Sequence, residues 1–292
     1  MLVSESRNYI ILNGSCIPEN HAKIPARTSG LYYGAGCFET FIADQGGIFK
    51  FDEHIDRLNR GLKYLGVPDS EIIDKKTVLQ QIKILLTEND LLGKRSRIRI
   101  QASLADKGGY SKSNDSSLTV IISSHVAEKN TEPKKLIVSE TNVVPSSARP
   151  SSLKLSNMLH YRQAFREASM NGADDAVMQT VDEFVAETSI ANIFWMKNGQ
   201  IFTPSISCDI LPGIMRNSII EIIKNKMKLK VNEGMFVIGK LTQADFAWLT
   251  NSVMEVVPVS TIAENSFQPN PDFLLDLQRN LEAYKKENMQ YV

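Results

Sequence analysis

The sequence predicts a mixed α/β (α+β) fold built as two lobes, and three observations carry that expectation. Short apolar runs bounded by turn signals interleave with amphipathic helical stretches, without the regular strand–helix–strand repetition of a single parallel sheet. The 292 residues suffice for two domains of ordinary size. Residues 125–135 (HVAEKNTEPKK) are polar and contain a proline, the composition of a linker. The expected organisation is an N-terminal α/β lobe over 1–125, a linker over 126–135 and a C-terminal α/β lobe over 136–292.

Residues 9–12 (YIIL) read as a strand closed by the Asn13-Gly14 turn signal. A glycine-rich stretch, 30–36, leads into a second strand, CFETFI at 37–42. Asp44 and the Gly46-Gly47 pair then mark a tight turn before Ile48-Phe49, a hairpin. Asp52 is the expected N-cap of a helix with Ile55, Leu58, Leu62 and Leu65 on one face, ending near Gly66-Val67-Pro68. A second helix is expected over 76–89. Strands follow at 95–104 and 117–123, joined by a polar loop containing Lys107-Gly108-Gly109-Tyr110. Beyond the linker come a strand at 136–144, a helix at 157–171 stopped by Gly172, and strands at 176–184 and 192–204. The last of these carries a Lys197-Asn198-Gly199-Gln200 hairpin turn. Leu211-Pro212-Gly213 opens an amphipathic helix to about residue 228, and 272–287 is the final helix.

Lys+Arg and Asp+Glu both number 33, so there is no cationic surplus of the kind that a dominant nucleic-acid binder uses to neutralise phosphates. The longest apolar stretches fall short of the roughly 20 residues that span a bilayer. The opening residues, MLVSESRNYIILNGS, carry Glu5 and lack the layout of a signal peptide. Cys16, Cys37 and Cys208 are too few and too scattered for a disulfide framework or a four-ligand zinc site. A soluble cytoplasmic protein acting on a small molecule is expected, with no metal, nucleic-acid or membrane partner.

Five segments hold side chains suited to chemistry. In Leu211-Pro212-Gly213-Ile214-Met215-Arg216-Asn217, glycine permits close backbone approach and the following helix turns its N–H groups and positive dipole end back on it, the outline of a phosphate site or an ordinary loop-to-helix junction. Arg57, in Glu53-His54-Ile55-Asp56-Arg57, sits beside the apolar stripe and either aims inward at an anion or pairs with Glu53 on the surface. Lys154, between Leu153 and Leu155, is either a solvent-facing strand residue or an amine in a cavity, where desolvation lowers its pKa and equips it for a Schiff base. Glu187, in Val185-Ala186-Glu187-Thr188-Ser189-Ile190-Ala191-Asn192, stands at the end of an apolar run; buried, it needs a cationic partner such as a protonated ring nitrogen, and otherwise it is a capping or turn carboxylate. Thr250, Asn251 and Ser252 interrupt the apolar run 246–259 as phosphate donors or as partners of buried backbone. His54 and His160 read as packing or hydrogen-bonding residues.

An imine lysine, a carboxylate, an arginine, a helix N-terminus and a hydroxyl cluster together make the inventory of a pyridoxal phosphate site: lysine for the aldehyde, carboxylate for the pyridine nitrogen, a multi-donor cup for the phosphate. In this order along the chain the motifs resemble the class IV aminotransferase family, the fold-type IV pyridoxal-phosphate enzymes with a two-lobed, D-amino-acid aminotransferase-like fold. These include branched-chain aminotransferases, D-amino-acid aminotransferases and aminodeoxychorismate lyases. The resemblance implies that Lys154 forms the internal aldimine and shuttles the proton, that Glu187 pairs with the pyridine nitrogen, and that Leu211 packs on the ring. It implies that Arg57, the Ile214 and Met215 N–H groups and Ser252 hold the phosphate. It also implies a homodimer with the active site between lobes and a partner loop near the substrate.

Within the family, Gly36-Cys37-Phe38-Glu39-Thr40, Gly108-Gly109-Tyr110-Ser111, Asn192-Ile193-Phe194-Trp195 and Met215 in place of the usual threonine resemble the lyase branch. That branch implies release of pyruvate and 4-aminobenzoate from 4-amino-4-deoxychorismate, a step of folate synthesis, with Thr40 as a positioning candidate and Phe38 and Tyr110 near the substrate. Ala102-Ser103-Leu104 departs from the Ser-Arg-Gly of many relatives. Arg97 or Arg99, two apart and so on one strand face, is the replacement reader of a substrate carboxylate or part of a solvated face. Ile98-Arg99 also matches the branched-chain aminotransferases, which keeps an amino-acid aminotransferase as the alternative. A dimer that retains the fold without turnover is the third reading.

Overall fold

The computed structural model describes residues 8–110, 117–268 and 270–292. Contacts divide the chain into two compact units: Met1–Glu128 with Leu153–Asn157 and Asn288–Val292, and Lys129–Ser152 with Met158–Glu287.

The first unit begins with the hairpin β1 (Tyr9–Leu12) and β2 (Ser15–Pro18), then α1 (Ser29–Tyr33), β3 (Gly36–Asp44) and β4 (Gly47–Phe49). Next come α2 (Phe51–Tyr64), α3 (Lys75–Glu88), β5 (Ser96–Leu104) and β6 (Leu118–Val126). The second unit holds β7 (Lys134–Val138), α4 (Leu159–Met170), β8 (Asp175–Gln179), β9 (Val185–Thr188), β10 (Asn192–Lys197) and β11 (Gln200–Pro204). It continues with α5 (Ile214–Asn225), β12 (Val231–Gly234), α6 (Ile238–Thr242), β13 (Phe246–Asn251), β14 (Glu255–Ile262), β15 (Asn265–Ser266) and α7 (Pro271–Glu287). The terminal β16 (Met289–Tyr291) returns to the first unit, where it pairs with β4. One sheet runs β16-β4-β3-β5-β6-β1-β2, and the other runs β12-β11-β10-β13-β14-β7-β8-β9 with β15 added at β14.

The core of the first unit forms where alternate residues of β3 and β5 (Cys37, Phe41, Ala43, Ile98, Ile100, Ala102) meet the stripe Ile55, Leu58, Leu62 of α2 and Val78, Ile82, Leu85 of α3. In the second unit Trp195, Ile193, Ala247 and Leu249 fill one cluster. Another gathers Tyr161, Ala164 and Ala168 of α4 over Ala176 and Met178.

Several expectations are corrected. Residues 136–292 are not one continuous lobe, and the segment carrying Lys154 belongs to the first unit: Leu153 and Leu155 join its apolar core, and Leu155 bridges Cys37. The stretch 126–135 is not all linker, since β6 ends at Val126 and β7 begins at Lys134. Asp52 is not an N-cap; Lys50, left-handed at φ 49°, occupies that position and leaves Asp52 and Glu53 in the first turn, where their charge suits the helix dipole. The strand expected over 176–184 stops at Gln179, and a turn with Glu183 at φ 64° separates β8 from β9. The strand expected over 136–144 stops at Val138. The hairpin turn at Asn198-Gly199 has φ 49° and 72°, as a two-residue turn with both central residues left-handed requires. Ser111, quoted with the glycine loop, and Glu5 lie outside the described residues. Among those described, no helix is long and apolar enough to cross a membrane.

Helix α2 approaches β3 closely at Gly61, where an added Cβ would fall 2.9 Å from Cys37 Cβ and 3.1 Å from its Sγ. Gly61→Val is therefore expected to cost about 1–3 kcal/mol through overpacking, read as a lower denaturant midpoint with an unchanged m-value.

Candidate active site

In the first unit, strand alternation sorts β3 into two sets. Cys37, Glu39 and Phe41 point at α2, whereas Phe38 and Thr40 lie half-buried on the opposite face. Glu39 is fully buried. Arg57 Nε donates to its Oε1 at 2.6 Å and Arg57 Nη2 to its Oε2 at 2.8 Å, a bidentate pair, and His54 Nδ1 lies 2.7 Å from Oε2. Burial alone would raise the Glu39 carboxyl. The charge and hydrogen bonds of Arg57, then of His54, outweigh that and hold it down at about 2. His54 is pushed below its ordinary range, first by burial; Glu39 opposes this, and Arg57 and Lys154 add to it.

Lys154 reaches this neighbourhood through backbone pairing. Phe38 N–H donates to Lys154 O at 3.0 Å, and Ser156 N–H to Gly36 O at 2.8 Å. With Leu153 and Leu155 drawn into the core, alternation leaves Lys154 and Ser156 on the other side. Lys154 Nζ stands 4.7 Å from the Phe38 ring centroid, and Arg99 Cζ lies 4.0 Å from the same centroid. Arg99 sits directly across from Thr40 and Gln101 across from Phe38. Arg99 Nη2 donates to Gln101 Oε1 at 2.9 Å, and Gln101 Nε2 donates to Ser156 Oγ at 2.7 Å.

In the second unit, β9 and β10 bury Glu187 within a set of donors. Tyr161 OH donates to Oε1 at 2.5 Å, Leu211 N–H to Oε1 at 3.1 Å and Asn192 Nδ2 to Oε2 at 2.9 Å. The same Asn192 amide donates to Leu211 O at 2.9 Å, which fixes the residues leading into α5. The N-cap of α5 is Gly213, with no side-chain cap, and a Cβ there would fall 2.2 Å from Asn192 Oδ1. Only glycine lets this helix start so close. Thr250 lies directly across from Asn192 in the β10–β13 pair, fully buried, its hydroxyl without a partner. Asn251 is committed to the backbone: its Oδ1 accepts from Val253 and Met254 N–H, and its Nδ2 donates to Ile190 O.

The predicted residues thus fall into two groups. Lys154, Arg57, Phe38, Thr40 and Arg99 gather in the first unit. Glu187, Leu211, Ile214 and Met215 gather in the second, with Ser252 two residues from Thr250 along the chain. Arg97 is exposed and faces Ile42 and His125 across the ladder. Tyr110 is 97% exposed, its ring 5.7 Å from that of Tyr33. The pairing of Arg57 with Glu53 is not formed; Glu53 pairs with Lys50 at 3.2 Å. Reading the sequence missed Glu39 as the partner of Arg57, although a glutamate at a core-facing position of an alternating strand was a signal. It missed Tyr161 and Gln101 as well.

The family model for amino-transferase class IV matches residues 36–262, and the chain belongs to that family. It is 32% identical over 263 residues to an aminodeoxychorismate lyase of Bacillus subtilis (strain 168), covering 88% of each chain. It is 26% identical over 277 residues to the branched-chain-amino-acid aminotransferase of Escherichia coli (strain K12), covering 89% of this chain and 87% of that one. A solved structure of the T.th. branched-chain amino acid aminotransferase, complexed with N-(5'-phosphopyridoxyl)-L-glutamate, superposes with TM-score 0.86 at 25% identity and 98% coverage of both chains.

The chain is accordingly a pyridoxal-phosphate-dependent enzyme of class IV, and its residues fit the cofactor. The glycine-capped start of α5 and the unpartnered buried hydroxyl of Thr250 would offer donors to its phosphate, and Glu187 would offer a buried carboxylate to its ring nitrogen. Among the described residues no cluster of His, Cys, Asp and Glu could hold a metal ion.

The Glu39 cluster has a consequence in acid. A carboxyl held at about 2 in the folded chain and near 4.5 when unfolded stabilises the fold above pH 4.5. That contribution, on the order of 3 kcal/mol, is lost as pH falls from about 4.5 to 2. Glu39→Gln is expected to remove this acid limb from urea-denaturation profiles. It also strands the buried Arg57 charge, lowering stability at pH 7 by about 3–5 kcal/mol.

Proposed function

We propose that this enzyme is a 4-amino-4-deoxychorismate lyase, releasing pyruvate and 4-aminobenzoate. The observation that carries the reading is the 32% identity with the B. subtilis lyase over 88% of both chains, against 26% with the E. coli aminotransferase. Pyridoxal phosphate, when bound, supplies an aldehyde that captures the substrate amine and a ring that withdraws electrons. Lys154 provides the aldehyde's amine. Its Nζ takes the proton from the ring carbon that bears the substrate nitrogen and delivers it to the methylene of the departing enolpyruvate, so that the ring aromatises as the carbon–oxygen bond breaks. Glu187 serves the pyridine nitrogen and Leu211 packs on its ring. Arg57, the Ile214 and Met215 N–H groups and Ser252 hold the phosphate, and Thr250 joins them. Arg99, stacked on Phe38 and opposite Thr40, reads a substrate carboxylate. The reading includes a homodimer.

The second reading is an amino-acid aminotransferase, favoured by the E. coli relative and by the superposition on the solved branched-chain enzyme. Equimolar pyruvate and 4-aminobenzoate from enzymatically generated 4-amino-4-deoxychorismate is the expected result. Absence of both products, with conversion to the pyridoxamine form on adding L-leucine, L-glutamate or D-alanine, replaces it with the aminotransferase. A protein that stays colourless with added pyridoxal phosphate is a retained fold without turnover. Lys154→Ala is expected to abolish the imine absorbance and turnover; full activity in that variant would overturn the lysine assignment.

A further inference from the structure

We propose that Tyr161 is a positioning residue that keeps Glu187 ionised and thereby keeps the proton on the ring nitrogen of the cofactor; this rests on the assignment of Glu187 to that nitrogen. Tyr161 lies on the inner face of α4 with Ala164 and Ala168, in an apolar cluster with Ala176, Met178 and Ala186. For packing alone, phenylalanine would serve. The hydroxyl is the one polar atom the side chain brings there, and carrying it into that cluster costs desolvation unless it finds a partner. Its partner is Glu187 Oε1 at 2.5 Å, an oxygen that also accepts Leu211 N–H.

The phenol must act as the donor. Burial first, then the charge and hydrogen bond of Glu187, push it well above its ordinary range; Asp209 adds to this and Arg149 opposes it. A tyrosine so placed stays protonated and gives its hydrogen to the carboxylate. Around Glu187 stand Tyr161 from α4, the Asn192 amide from β10, the Leu211 N–H, and Arg216 of α5 acting through its charge. Each stabilises the anion, and a more stable anion is a weaker base. In the hydrogen bond between the carboxylate and the ring nitrogen the proton then stays on nitrogen, where it makes the ring an electron sink. With the phenol gone, Glu187 becomes more basic and draws that proton toward itself.

The test uses the holoenzyme loaded with pyridoxal phosphate labelled with 15N at the ring nitrogen, compared by 15N NMR with Tyr161→Phe and Glu187→Gln. A pyridinium signal is expected for the parent, a neutral pyridine signal for Glu187→Gln, and a shift part of the way for Tyr161→Phe. The last is expected to lose roughly tenfold or more in kcat with KM for the substrate within about twofold. If Glu187→Gln moves the signal while Tyr161→Phe leaves signal and kcat as in the parent, the role of Tyr161 is overturned and that of Glu187 stands. If Glu187→Gln leaves the signal in place, the Glu187 assignment itself fails. Should Tyr161→Phe not fold or load, 3-fluorotyrosine at 161, a stronger donor, must hold the signal at or beyond the parent's pyridinium position; movement toward neutral pyridine would overturn the proposal.

Discussion

A carboxylate taken out of water has to be met by donors that replace its hydration, and each unit of this chain is arranged around one such group. Glu187 sets the geometry of the second. Its Oε2 takes one hydrogen of the Asn192 amide, whose nitrogen also donates to Leu211 O, while the Leu211 N–H turns back to Oε1. These bonds fix the backbone just ahead of α5, and they bring the helix start so near Asn192 that position 213 has no room for a Cβ. Glu39 plays the equivalent part in the first unit. Its bidentate pair with Arg57 and its contact with His54 set the rotation of α2 over β3. The glycine at 61, one turn further along, allows the helix to settle against Cys37.

What could be read in the sequence follows from how local its cause is. Hairpins announced by Asn13-Gly14, Gly46-Gly47 and Asn198-Gly199, and helices announced by apolar stripes, depend on neighbours in the chain. The motif order that identifies the family is likewise linear. Partners separated by tens of residues were not legible: Glu39 with Arg57, Tyr161 with Glu187, Gln101 with Ser156. Short elements that depend on distant pairing were missed for the same reason. The strand β16 exists because β4 offers it an edge. The helix α1 is a single capped turn, held by Thr28 and ended by the left-handed Gly34.

The environment of Lys154 shows how a weak local signal becomes specific. A lysine between two leucines describes many strands. Here the two leucines are captured by the core of the first unit, so the backbone pairing with β3 leaves the lysine beside Phe38, with no helix or cap needed to orient it. The five-residue excursion 153–157 into that unit is what makes the placement possible, and an unbroken C-terminal lobe was the wrong expectation on this account.

If the cofactor machinery is common to lyases and aminotransferases, selection among substrates has to come from elsewhere, and the face of β3 and β5 that carries half-buried Phe38 and Thr40 and exposed Arg99 is suited to it. Phe38 presents an aromatic surface, Thr40 a hydroxyl and Arg99 a planar cation, all within register of one another. Arg99 is tied through Gln101 to Ser156, two residues from Lys154. A carboxylate engaging Arg99 would compete with Gln101 for the guanidinium, and Gln101 is also a hydrogen-bond partner of the segment that carries Lys154. Under the proposed roles, recognition of the anion and placement of Lys154 Nζ therefore share a hydrogen-bond chain. In the proposed lyase, that chain is the physical means by which binding of the substrate carboxylate would be felt at the lysine before proton transfer begins.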